Sequence, residues 1–215
     1  MATPGFSSHL LDGTGLPIWI SELAGYPDRG DCLHVVRGLA PAAALEISGA
    51  GSALVRPCEL PRSKQGHNVS LPASSLSTES DHEGTLLAGC IGSWTFVYDD
   101  MGLANDEWKT QELSANGRIA ATAEFSINAV ARLSFAIAGQ EIFECSLDNL
   151  VLDTDLPGMP PELVAAFEDA GTFELDYLDP GEPDFNIFAR VLCALADLRC
   201  TLDDLRRTPL LIAPY

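Results

Sequence analysis

The chain has 215 residues, 47% of them hydrophobic, with a mean hydropathy of +0.12, so a single domain with ample core material is expected. No run approaches the roughly 18 consecutive apolar residues of a membrane-spanning helix, and the opening MATPGFSSHLLDG lacks the cationic and apolar regions of a secretory signal. With 12 Lys and Arg against 31 Asp and Glu, the net charge is −19, which argues against nucleic acid and anionic membranes as partners and leaves a cytoplasmic location as the expectation.

Residues 1–31, rich in Gly, Pro and Asp, read as a loosely held N-terminal arm. Leu16 to Ile20 is its anchor, with Trp19 packing onto the domain that spans 32–215. Cys32 to Val36 reads as a short strand. Pro41, well suited to a first helical position, opens a helix that ends near Gly49. His34 lies in the apolar strand, where a core histidine is favoured over a ligand or catalyst. Residues 57–84 are rich in Pro and Ser and are predicted to form a long mobile loop. It carries His67, Asp81, His82 and Glu83, whose spacing matches no zinc or iron pattern.

Thr85 to Asp100 is the longest strand-forming stretch, with Trp94, Phe96 and Tyr98 on one side of a period-two pattern. It is expected to be the central strand, bent at Gly89 and Gly92, with Trp94 mostly buried. Asn105 or Asp106 caps a short helix running to about Leu113. Arg118 to Ile127 alternates, and Ala138-Gly139-Gln140 joins two further strands as a hairpin. A helix opened by Pro160 and Pro161 and closed by Gly171 follows, then a second from Asp184 to Leu198. Thr201 to Asp204 forms a capping box for a last short one. The predicted class is α+β: a mostly antiparallel sheet within about 85–147, covered by C-terminal helices.

Several stretches together resemble a bacterial family known as the domain of unknown function numbered sixty-four sixty-one. They are His34 to Pro41, Ile91 to Gly102, Leu113-Ser114, Asn128-Ala129 and Leu195 to Leu202. Ser93 and Asp99 depart from it, where the family favours Gly and Glu. The resemblance implies a compact bacterial cytoplasmic protein and carries over no catalytic or binding residue.

Asp99 and Asp100 are the first carboxylates to weigh for acid–base work. Neighbours on a strand point to opposite faces, so solvated turn residues are favoured over a catalytic pair. There is no G-x-S-x-G elbow, phosphate-binding loop or dinucleotide fingerprint. The six cysteines form no C-x-x-C pair and read as reduced core residues. No metal, nucleotide or covalent cofactor is expected.

The functional lead is charge distribution. Between Arg132 and Arg190 there is no Lys, Arg or His, while the interval holds Glu141, Glu144, Asp148, Asp153, Asp155, Glu162, Glu168, Asp169, Glu174, Asp176, Asp179, Glu182 and Asp184. Phe173, Tyr177 and Phe185 interleave with Glu174, Asp176, Asp179 and Asp184, the composition of an aromatic hot spot rimmed by charge. The expectation is a non-enzymatic, immunity- or inhibitor-like module docking a basic protein through Phe173, Glu174, Asp176, Tyr177, Asp179 and Asp184. The alternative is a small-molecule-binding or enzymatic accessory protein with a pocket between sheet and helices. A solvated acidic surface needs no partner at all.

Overall fold

The computed structural model describes residues 6–25, 30–66, 68–76, 83–104, 108–125, 131–147, 158–172 and 183–215. Eight strands form one antiparallel sheet: β1 (Cys32–Arg37), β2 (Arg56–Cys58), β3 (Thr85–Ile91), β4 (Trp94–Asp99), β5 (Ile119–Phe125), β6 (Ala131–Ile137), β7 (Gln140–Leu147) and β8 (Leu210–Pro214). Their order across the sheet is β2-β8-β3-β4-β1-β5-β6-β7.

The aromatic stretch is a hairpin, not one strand. Gly92 takes φ 58° at the tip, a left-handed conformation that Gly adopts without penalty, and the chain folds back so that Ile91 faces Trp94 and Leu86 faces Asp99. Gly89 instead marks a close approach. A Cβ there would sit 2.7 Å from both Leu210 and Phe96 side-chain atoms. Of the aromatic trio, Phe96 and Tyr98 are fully buried. Trp94, beside the tip, is only half-buried, packed on the core edge with the Arg37 guanidinium 5.7 Å from its ring centroid.

Among the described residues, six helices cover both faces: α1 (Ile18–Leu23), α2 (Pro41–Ile47), α3 (Lys109–Ser114), α4 (Pro161–Ala170), α5 (Pro183–Leu195) and α6 (Leu202–Leu205). On the larger face Leu33, Val35, Phe96, Tyr98, Leu133 and Phe135 pack with α1, α4 and α5. On the smaller face Val36, Leu86, Val97 and Ala120 meet Ala44 and Leu45 of α2 and Leu113 of α3. The C-terminal helices therefore cover one face, and the early helices α2 and α3 cover the other. Each large side chain fully removed from water contributes about 1.5–3 kcal/mol. Burial on both faces explains why β3 and β4 read as apolar runs, and why Ala120 and Thr122 of β5 are buried along with Ala121 and Ala123.

The described part of the arm is fixed by packing. Trp19, Ile20 and Leu23 of α1 are fully buried, and the Trp19 ring packs tilted at 57° against Phe96, with centroids 5.6 Å apart. Arg190 of α5, itself buried, donates from Nε and Nη2 to the Gly15 carbonyl at 3.1 and 2.7 Å. Asn186 donates to the Thr14 carbonyl at 3.2 Å. Within 57–84, the described residues place Leu60, Leu71 and Leu76 in the main core. These leucines have no periodic spacing, so composition alone marks the segment as a loop. The Thr201–Asp204 capping box forms as predicted, reciprocally bonded.

Candidate functional site

At the end of the sheet where β1 and β3 begin and β4 finishes, three carboxylates gather around Tyr98. Asp99 and Asp100 are buried, not solvated as the sequence reading has them. Asp99 accepts the backbone N–H of Met101 at 3.0 Å and of Ala104 at 2.8 Å, which shapes the 101–104 loop. Asp100 accepts the Thr85 N–H at 2.7 Å and the Ser70 hydroxyl, which ties the 70–76 turn to the start of β3. Asp31, just before β1, accepts the Tyr98 hydroxyl at 2.9 Å.

Burial disfavours every charge here. Desolvation, with repulsion from Asp100 and Asp99, pushes Asp31 up to about 7, against the Tyr98 hydrogen bond and Lys64. Asp100 rises to about 6, mainly from burial, with the Ser70 and Thr85 hydrogen bonds opposing. Asp99 rises for the same reason, moderated by its backbone donors. The Tyr98 phenol is held well above its ordinary range by burial and by Asp31. Lys64 donates to the Ala24 carbonyl, and its partial burial lowers its pKa. A carboxyl poised near 7 has the acidity of a general acid or base. The bonds to Asp99 and Asp100 are those of loop and strand caps.

A second buried polar chain runs between the sheet and α3. His34, fully buried, has Nδ1 at 2.8 Å from Thr122 Oγ1, and Thr110 Oγ1 donates to Thr122 Oγ1 at 2.7 Å. Nε2 of the same ring lies 3.4 Å from Cys32 Sγ. This resembles a Cys–His dyad in composition only. Burial, with Asp99, Glu124 and Asp31, raises the Cys32 thiol well above its ordinary pKa. A reactive cysteine needs the opposite shift. His34 is a core histidine with satisfied partners.

Of the sequence-predicted partner site, Phe173, Glu174, Asp176, Tyr177 and Asp179 lie outside the described residues. Asp184 falls in the first turn of α5, its side chain outside them too. His67, Asp81 and His82 also lie outside. The rest of the acidic block is on the surface where it is described: Glu141, Glu144, Glu162 and Glu168 are exposed. Arg132 pairs with Glu144 at 2.8 Å and Arg199 with Asp169 at 3.0 Å. A cleft of about 200 Å³ opens between α1 and α6, lined by His9, Ile18, Glu22, Asp203 and Arg206, and is not between sheet and helices. No helix among the described residues is long and apolar enough to cross a membrane. No protein-family model matches the chain, and neither a curated protein nor a solved structure matches it.

Sequence reasoning missed Asp31. Its partner Tyr98 is 67 residues away, and no local spacing joins them.

Proposed function

We propose that this chain is a non-enzymatic protein-binding module, immunity- or inhibitor-like, that docks a basic protein partner. The observation carrying this reading is the cation-free, acid-rich interval between Arg132 and Arg190 on a chain of net charge −19. The exposure of Glu141, Glu144, Glu162 and Glu168 supports it. Such a field steers a basic partner from a distance and is screened by salt, the Debye length being about 8 Å at physiological ionic strength. Changing Glu174, Asp176 and Asp179 to their amides should slow association far more than it lowers stability, because exposed charges contribute little to folding. A pull-down from the native host at low and high salt tests the reading, and recovery of no basic protein at low salt overturns it.

The alternative, an enzymatic or small-molecule-binding accessory protein, draws support from Asp31, whose carboxyl sits near 7 beside Tyr98. Soaking with carboxyl-directed reagents near pH 7 would label Asp31 selectively if that group faces an accessible pocket.

A further inference from the structure

We infer that the basic partner is gripped at an apolar patch formed where the β8, β3 and β4 strand ends meet α2 and α3, centred on Leu103, Trp108 and Tyr215. This rests on the reading above of a basic protein partner and adds where its apolar anchor sits. Among the described residues, four of the five exposed large apolar side chains fall in this one region: Leu54 at 52%, Leu103 at 43%, Trp108 at 59% and Tyr215 at 44%.

Short contacts join Tyr215 and Leu103 through Gly84, and bring the start of α3 to the end of α2 beside Tyr215. The Tyr215 backbone N–H donates to the Gly84 carbonyl at 3.0 Å. A Cβ on Gly84 would lie 3.5 Å from Leu103 Cδ1, and one on Gly49 would lie 2.8 Å from the Tyr215 ring. Lys109, next to Trp108, donates from Nζ to the Ile47 carbonyl at 2.8 Å, which holds the start of α3 against the end of α2. Leu54 is 3.6 Å from a Cβ built on Gly51. The buried carboxylates position this surface: Asp99 fixes the loop that presents Leu103, and Asp100 holds the start of β3.

Exposed Trp, Tyr and Leu at one end of the sheet are the composition of a binding hot spot, because large rigid side chains remove much apolar area from water at small entropic cost. The surrounding charge selects the partner. Glu46, Glu83 and Glu112 are exposed around the patch, and the Lys109 charge is buried beside Glu112. Arg56, two residues after Leu54, is the exposed cation nearest along the chain. A predominantly acidic rim around an aromatic centre fits a basic partner that also offers apolar side chains. A second copy of this chain would bring another −19 to the contact.

The test uses three acetylated peptides of equal length as probes, titrated into the full chain and followed by calorimetry. One repeats Lys-Leu-Leu, one carries the same charge as Lys-Gly-Gly, and one repeats Glu-Leu-Leu. The Lys-Leu-Leu peptide should bind at least about tenfold tighter than either control, and Trp108→Ala with Leu103→Ala should erase that preference. Glu46→Gln, Glu83→Gln and Glu112→Gln together should weaken binding at low salt and have little effect at about 0.5 M salt. Both sets change exposed side chains, and circular dichroism checks that the fold persists. If Lys-Gly-Gly binds as tightly as Lys-Leu-Leu and is displaced by salt, the basic-partner reading stands and the patch falls. If neither basic peptide binds at low salt, both fall. Equal binding of Glu-Leu-Leu, or sedimentation showing a dimer that Trp108→Ala dissolves, overturns the proposal in favour of an unselective apolar face or a second copy.

Discussion

Replacing Asp31 with Asn should stabilise the protein at pH 8 and flatten its pH dependence. In the fold this carboxyl sits near 7 against an ordinary 3.8, chiefly because burial disfavours the charged form. Its folded pKa is raised, so between about pH 4 and 7 the folded state holds a proton that the unfolded chain has released. The associated stability is complete below the unfolded pKa and is lost as pH rises through 7. At 1.36 kcal/mol per unit, the two units from pH 5 to 7 amount to about 3 kcal/mol. Asp31 keeps part of its surface in solvent, so about half of that is the working expectation. Asn has the same size and keeps an oxygen to accept the Tyr98 hydroxyl, so the substitution removes the charge and leaves the geometry. Urea unfolding from pH 5 to 8.5 provides the assay. Histidines and the general negative field also respond in this window, so the informative quantity is the difference between the two proteins. That difference should grow in favour of Asp31→Asn by about 1–2 kcal/mol as pH rises. A wild-type protein that gains on the variant between pH 5 and 8 would refute the reasoning.

Trp19→Ala should cost about 3–5 kcal/mol in chemical denaturation, because the side chain is fully buried and packed against Phe96; a loss below about 1 kcal/mol would mean that the N-terminal helix is not part of the core. Ala138→Asn should stabilise the β6–β7 hairpin by about 0.5–1 kcal/mol, since Ala138 holds φ 53° beside Gly139 at 82°, conformations that Asn-Gly adopts readily; a fall in thermal midpoint would contradict this. Gly89→Ala should cost about 1–3 kcal/mol by overpacking against Leu210 and Phe96, whereas Ala at the exposed tip residue Gly92, where a Cβ would meet nothing within 4 Å, should cost only its backbone strain. In thiol titration of the native protein Cys90, exposed, should react first. Cys32 and Cys193, buried and with pKa values raised well above the ordinary range, should react only on unfolding.

Local signals carried the elements that own one exposed face or a clear cap. The alternation of Ile119 to Phe125 appears as β5, and the Thr201–Asp204 box closes as written. The two prolines before α4 open that helix, and Gly171 ends it. The sequence was least legible where an element is covered on both sides or borrows its partner from far away. β8, five residues ending in Pro214, has no alternation because its neighbours β2 and β3 and the layers above and below bury it. The hairpin at Gly92 resembles a mere bend in the sequence because an apolar run buried on both faces has no period to break at a turn. Leu60, Leu71 and Leu76 enter the core one at a time from a segment whose average composition is that of a solvated loop.

The same physics separates the two halves of the functional argument. Strand periodicity predicts opposite directions for Asp99 and Asp100, but β4 ends at Asp99 and Asp100 lies just beyond it. Whether such carboxylates are solvated depends on what lies beyond the strand end. Here the 101–104 loop folds over Asp99, and the 70–76 turn folds over Asp100. The first covering is local, closing within five residues of the strand end, whereas the second comes from a segment 30 residues away. Asp31 is a stronger case, since its upward shift arises from burial, aided by Asp100 and Asp99 and opposed by the Tyr98 hydrogen bond, and these partners lie 67 residues or more along the chain. Net charge and its distribution are additive along a chain and so are legible from composition. The environment that sets each charge's energy is not additive, and it decides which acids serve as internal caps and which remain on the surface to meet a partner.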